Sequence, residues 1–236
     1  MDVDYSRARL GFRPRATTGQ AGGREEPLGV GAGRDGVLYV PDTAERSAPI
    51  MVFLHGATGS GRGHLRAVLA AADRYGVILV APDSRLGGTW DLIAAHRFGP
   101  DVEFLDRVLD EVVGRVDGDV SLLALGGVSD GASYALSVGL ANGDVFSTVI
   151  AFSPGFLAVP EPVGRPRLFV SHGTADPILP FDGCSGAFVP QLRQAGYEVM
   201  FRPFDGGHTV PPEVADQGLR WWLAGAAKGE TGEAPA

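Results

Sequence analysis

The chain of 236 residues reads as an α/β protein: a mostly parallel central sheet with helices on both faces. Three observations predict this. Short β-branched and apolar runs alternate with stretches of helical periodicity, the rhythm of strand–helix–strand crossovers. Hydrophobic residues make up 44% of the chain and charged residues 20%, enough apolar material to cover both faces of a buried sheet. Gly and Pro mark the ends of the runs, where the chain must turn. The length suits a single domain, because sheets of this class reach that size around one core.

In chain order, strands are expected over residues 37–40, 50–54, 77–80, 121–125, 148–152, 168–171 and 198–203. Each is a short apolar or β-branched run with turn residues on its flanks. Helices are expected over 63–75, 102–116, 130–141, 186–195 and 212–223. In the second of these, Phe104, Leu105, Val108, Leu109 and Val112 fall on one face at the 3.6-residue period. Residues 1–26 and 227–236 show no such periodicity. They are expected to be flexible and to lie outside a single domain spanning 27–226.

The formal net charge of -8 and a pI near 5.1 oppose binding to nucleic acid, and no Lys/Arg cluster offsets them. A small molecule is the expected partner; a homodimer is left open. No run has the length or composition of a signal peptide or a membrane span, so no membrane insertion is expected. The one cysteine, Cys184, cannot form an intramolecular disulfide, and the expected location is the cytoplasm.

Two glycine patterns invite misreading. Gly31-Ala-Gly33-Arg-Asp-Gly36 fits the spacing of a dinucleotide-binding loop, but a strand follows it where a helix is required, so it reads as a hairpin turn. Gly59-Ser-Gly-Arg-Gly63 lacks the Lys-Ser/Thr ending of a phosphate loop and reads as a strand-to-helix connection.

Gly127-Val-Ser129-Asp-Gly131 is more informative. It follows the apolar Leu122 to Leu125 run and precedes a helical one, which is the setting of a GxSxG turn that projects a serine hydroxyl from a strand end. With 35 glycines in the chain the motif alone is weak, and a helix-capping serine is the plain alternative. A serine nucleophile needs a base and a group that orients the base. Downstream, in the order Ser, Asp, His, stand Asp176 at the end of the 168–171 strand and His208 in a Gly-rich loop before the last helix. Asp205, three residues before His208, is the rival for the acid. His55 and His172 are expected to orient loops, and His64 and His96 to be solvated. No histidine spacing suggests a metal site.

Phe53-Leu-His-Gly56, Trp90-Asp91, Asp101 to Phe104, Gly127 to Gly131, Ser153 to Phe156, His172 to Asp176, and Gly207-His208-Thr-Val-Pro-Pro212 with Trp221-Trp222 together resemble the phospholipase/carboxylesterase family, close to esterases similar to polyhydroxybutyrate depolymerase. The resemblance covers about residues 35–223. It implies an α/β-hydrolase fold without a large lid domain, no cofactor, and a serine carboxylesterase acting on esters or thioesters through Ser129, His208 and Asp176. An acyltransferase with the same three residues and a non-catalytic ligand-binding relative are the alternatives. The residue after the serine, Asp130, supplies one backbone N–H of an oxyanion hole, and the family's Leu-His-Gly-x motif puts the other on Ala57. Trp90, Phe156 and Leu157 match bulky family positions and are expected to contact substrate.

Overall fold

The computed structural model describes residues 7–19, 24–31, 33–85, 87–159 and 161–230. Eight strands form one sheet: β1 (Arg24–Pro27), β2 (Gly36–Val40), β3 (Ala48–Leu54), β4 (Ile78–Pro82), β5 (Gly118–Val128), β6 (Thr148–Phe152), β7 (Arg167–Gly173) and β8 (Val199–Phe204). Their spatial order is β1-β2-β4-β3-β5-β6-β7-β8. β1 and β2 pair antiparallel, as do β2 and β4; every later pair is parallel. The helices are α1 (Gly61–Leu65), α2 (Leu69–Tyr75), α3 (Asp91–Ala95), α4 (Pro100–Arg115), α5 (Asp130–Ala141), α6 (Ser185–Gln194) and α7 (Pro212–Glu230). No described helix is long and apolar enough to cross a membrane.

The pleat of β3 shows how one strand serves two cores. Ile50, Val52 and Leu54 point into a layer shared with α4, α5 and α6. Met51 and Phe53 point into the opposite layer, with α2 and α7. Both faces of the central strands are buried, so their sequences are continuously apolar rather than alternating.

The expected α/β architecture is the one observed. The strand at 148–152 and the helix at 130–141 have the predicted bounds. Gly31, Gly33 and Asp35 lie in the β1–β2 connection, where the Asp35 carboxylate accepts from the amides of Gly29, Val30 and Gly31, and Gly36 opens β2. The expected helix at 63–75 is two, because the chain turns at 66–68. Ser60 caps the first piece through Gly63 N–H, and Gly76 ends the second in the left-handed region at φ 65°. Short α3 was not anticipated; five residues are too few to show a period.

The expectation that residues 1–26 lie outside the fold needs correction. Ala8, Leu10 and Phe12 are buried in the α4/α5 layer. Asn142, which ends α5, accepts from Leu10 N–H and donates to the Ala8 carbonyl, each near 2.8–2.9 Å. The Asp106 carboxylate takes the amides of Gly11 and Phe12 at 2.9 Å. Side chains of distant helices thus replace a strand partner, and β1 adds Arg24, Glu25 and Glu26 to the sheet. Three apolar residues between arginines are too weak a pattern to reveal this. At the other end, α7 runs to Glu230, past the expected boundary at 226; residues 231–236 lie outside the described ones.

Candidate active site

The chain leaves β3 for β4 on one side and reaches β5 on the other, so the order of strands reverses at the β3/β5 pair. Loops leaving adjacent strands in opposite directions open a crevice at their carboxyl ends. The loop after β3 carries Gly56 and Ala57; the turn after β5 carries Ser129.

That turn is tight. Ser129 has φ 57° and ψ -119°, a region non-glycine residues avoid at a cost of about 1–3 kcal/mol. A Cβ on Gly127 would stand 2.4 Å from the Gly131 carbonyl oxygen, and one on Gly131 would stand 2.2 Å from that of Leu54. Only glycine fits either place, which is the physical content of the GxSxG spacing. Ser129 N–H bonds to Phe152 O at 2.9 Å and holds the turn against β6.

His208 reaches the serine from the loop after β8. Thr174 N–H bonds to Phe204 O and Ala175 N–H to Gly206 O, tying that loop to the end of β7. The approach needs Gly173, where a Cβ would meet the Gly207 oxygen at 2.3 Å. His208 Nε2 is then 2.9 Å from Ser129 Oγ, and Nδ1 is 2.6 Å from Asp176 Oδ2. With the Nδ1 proton on the carboxylate side, a neutral ring presents its Nε2 lone pair to the serine O–H. The rival Asp205 is exposed, and its carboxylate is not the one the ring meets.

Asp176 is fixed from several directions. Oδ1 accepts from Ile178 and Leu179 N–H at 2.8 and 2.9 Å. Buried His172, whose Nδ1 meets Ser185 Oγ at 2.6 Å and whose Nε2 meets Leu179 O at 2.8 Å, approaches Oδ2 to 3.3 Å. Burial pushes the Asp176 carboxyl up, but the two amides and the His208 ring outweigh it and hold it below the usual carboxylate range. It stays ionised beside the histidine at neutral pH.

On the other side of Ser129, a Cβ on Gly56 would lie 3.3 Å from Ser129 Cβ, so the Gly56-Ala57 loop passes directly beside the serine. Asp130 opens α5 next to it, where an anionic side chain suits a helix N-terminus. Thr89 Oγ1 donates to Asp130 Oδ2 at 2.6 Å and occupies that carboxylate; Thr89 was not singled out from sequence.

Of the three expected substrate contacts, one is corrected. Trp90 is fully buried, donates from Nε1 to His55 O at 2.8 Å, and stacks on Tyr134 with ring centroids 5.1 Å apart. It supports the loop after β3 and cannot touch a ligand. Its bulk beside a strand end could not reveal which way it faced. Phe156 is 38% exposed in the loop after β6, while Leu157 is half-buried and packs on the core. Ile178, which no motif marks in the sequence, is 66% exposed two residues beyond Asp176. His55 is buried and accepts from Ser84 N–H through Nε2 at 3.0 Å. Burial pushes its pKa down, against the raising effect of the Gly56 carbonyl bond, so it is neutral. Among the described residues, no group of three or more His, Cys, Asp and Glu could hold a metal ion.

Behind Trp90 sits a reciprocal carboxylate clamp. Asp101 Oδ2 accepts from Asp91 N–H at 2.7 Å, and Asp91 Oδ2 accepts from Asp101 N–H at 2.9 Å; Tyr134 donates to Asp91 Oδ1 at 2.9 Å. Both carboxyls are buried. Burial, with the nearby Asp91 charge, lifts Asp101 to about 7 despite the amides of Arg85 and Asp91. A raised carboxyl binds its proton more tightly folded than unfolded, so its stabilising contribution is full below its unfolded pKa of about 3.9 and is lost as pH rises through about 7. Between pH 5.5 and 8 the melting temperature of the wild type should therefore fall more than that of Asp101→Asn. Parallel curves would contradict the shift.

No family model matches the chain. In sequence it is 26% identical over 214 residues to a protein of Aspergillus flavus named "Probable feruloyl esterase C", covering 76% of this chain and 77% of that one. Its fold matches esterase PE8 with a TM-score of 0.64 at 23% identity, over 80% of this chain and 97% of the other. It also matches the S-formylglutathione hydrolase FrmB of Staphylococcus aureus with a TM-score of 0.67 at 16% identity, over 90% and 100%. The reversal of strand order at β3/β5, the serine turn between β5 and α5, and these likenesses agree: the chain has the α/β-hydrolase fold, and proteins named as esterases are among those it is similar to.

Proposed function

We propose that the protein is a serine carboxylesterase in which Ser129, His208 and Asp176 hydrolyse carboxylic esters through an acyl-enzyme. The observation that carries this reading is the continuous hydrogen-bond chain from Ser129 Oγ through His208 to Asp176, at 2.9 and 2.6 Å, at the reversal of strand order. Such a chain has one chemical use that a binding module lacks: it removes a serine proton as the oxygen attacks.

In this reading Ser129 Oγ forms a bond to the ester carbonyl carbon while its proton passes to His208 Nε2. The carbonyl oxygen gains charge against the backbone N–H groups of Ala57, in the turn after β3, and Asp130, at the start of α5, both of which lie beside Ser129. Asp176 stabilises the imidazolium. The tetrahedral intermediate collapses, the C–O bond to the alcohol breaks, and His208 protonates the departing oxygen. Water, deprotonated by His208, then adds to the acyl carbon; the Ser129 ester bond breaks, releasing the acid and restoring the serine.

The fungal relatives are named for feruloyl esters, so esters with an aryl-bearing acyl group belong beside simple alkanoates in a first substrate panel. Phe156 and Ile178 supply exposed apolar surface for either. The link between β6 and β7 has no helix or strand among its described residues, and no lid closes the site in this reading. Cys184 is buried, with its thiol pushed up by burial. Purified protein should thus release acid from short-chain esters with no rate jump at their solubility limit, and iodoacetamide or EDTA should leave that rate unchanged. Absence of acid release across the panel would overturn the proposal.

A further inference from the structure

His64 takes no part in the Ser129–His208–Asp176 chain, yet it lies against the same loop. α1 returns it onto the turn at 56–59, which is closed by Gly59 N–H to Gly56 O at 3.2 Å. A Cβ on Gly59 would come within 2.5 Å of His64 Nδ1, and one on Gly56 within 3.4 Å of Nε2. The ring fills the hollow of the turn, and two glycines let it in. The Gly56 point that is 3.4 Å from Nε2 is also 3.3 Å from Ser129 Cβ, so the imidazole and the nucleophile position adjoin the same residue.

The two ring nitrogens are in different surroundings. Nδ1 is sealed from solvent with no partner, an expense that a phenyl ring in the same hollow would avoid. Nε2 is not sealed, and no described residue bonds to it. An unpaired lone pair is better tolerated in the interior than an unpaired N–H, so the neutral ring keeps its proton on Nε2. That leaves a donor on the Gly56 side of the ring, with Arg34 closing the far side of the turn through Gly59 O at 3.0 Å. His55, 6.2 Å away between centroids, spends its own nitrogens on Gly56 O and Ser84 N–H.

We infer that His64 is a specificity-determining residue: its Nε2–H donates to an oxygen acceptor that the substrate carries near its scissile carbonyl. Alkoxy-, hydroxy- or keto-substituted esters are thereby favoured over hydrocarbon esters of the same shape. The inference rests on Ser129 being the nucleophile. It is tested with two isosteric pairs, 4-nitrophenyl methoxyacetate against butyrate and 2-methoxyethyl against butyl esters of one acid. Within each pair the ratio of kcat/KM is compared between wild type and His64→Phe, which cancels the intrinsic reactivity of the esters. The ratio should fall about tenfold in at least one pair, the worth of one hydrogen bond in a desolvated site. The melting temperature should not drop, because a C–H replaces the unpaired buried nitrogen. Should His64→Phe lose its cooperative melt, His64→Leu serves the same comparison. Ratios unchanged in both pairs would overturn the inference. Turnover that survives Ser129→Ala would instead overturn the serine reading, which keeps the two failures apart.

Discussion

Ser129→Ala should abolish labelling by a fluorophosphonate probe and lower ester turnover by roughly 10⁴-fold or more. The probe reacts with a serine only where a base takes its proton, and His208 Nε2 stands 2.9 Å from Ser129 Oγ. The effect should be chemical, not structural. Ser129 holds its strained φ of 57° through its backbone, with Gly127 and Gly131 making the room and Phe152 O taking its N–H. None of these contacts uses the hydroxyl, so the variant should melt with the wild type. Twelve-residue α5 begins at the next position and is anchored by its buried face, so it does not depend on Ser129 Oγ for a cap. Labelling of the alanine variant at the wild-type rate would place the reactive serine elsewhere and sink the proposed mechanism.

Asp176→Asn should lower kcat by roughly 10² to 10⁴, while Asp205→Asn should cost less than about tenfold. The reason lies in the two oxygens of Asp176. Oδ1 accepts from the amides of Ile178 and Leu179, a role that the Asn carbonyl can keep. The Asn amide group then takes the place of Oδ2 and turns N–H donors toward His208 Nδ1. The ring must accept there, which moves its proton to Nε2 and sets a donor against the Ser129 hydroxyl: the wrong tautomer for a base. The loop stays folded and the chemistry stops. The carboxylate's counter-charge for the imidazolium is lost as well. Asp205 is exposed in the turn before His208, and its neutralisation alters only a screened charge. Both variants, matched for melting temperature, are compared on one short-chain ester across pH. A larger loss in Asp205→Asn would move the acid role there and leave Ser129 and His208 standing.

Much of this is legible in the sequence. Ser129 announces itself because a sharp turn between a strand and a helix requires glycine at 127 and 131, and that demand is local in the chain. The helix at 130–141 and the strand at 148–152 are set by periods that a short window contains. Other features depend on which distant surfaces meet. The segment at 8–12 is ordered by Asn142 and Asp106, more than 90 residues away, and three apolar residues among arginines carry no sign of it. Trp90 looked like a ligand contact and is a buried support, because the side of a loop that a bulky ring faces is decided by its neighbours, here His55 and Tyr134. Likewise a histidine in a Gly-rich stretch is a solvated residue on paper; the hollow between Gly56 and Gly59 that receives His64 exists only once the turn is closed. By itself the sequence determined the order of elements and the candidate residues for the proposed chemistry, since period and turn stereochemistry are local. The tertiary structure alone decided which aromatic is buried and which polar atoms remain unpaired, since burial and long-range hydrogen bonding belong to surfaces that different segments make together.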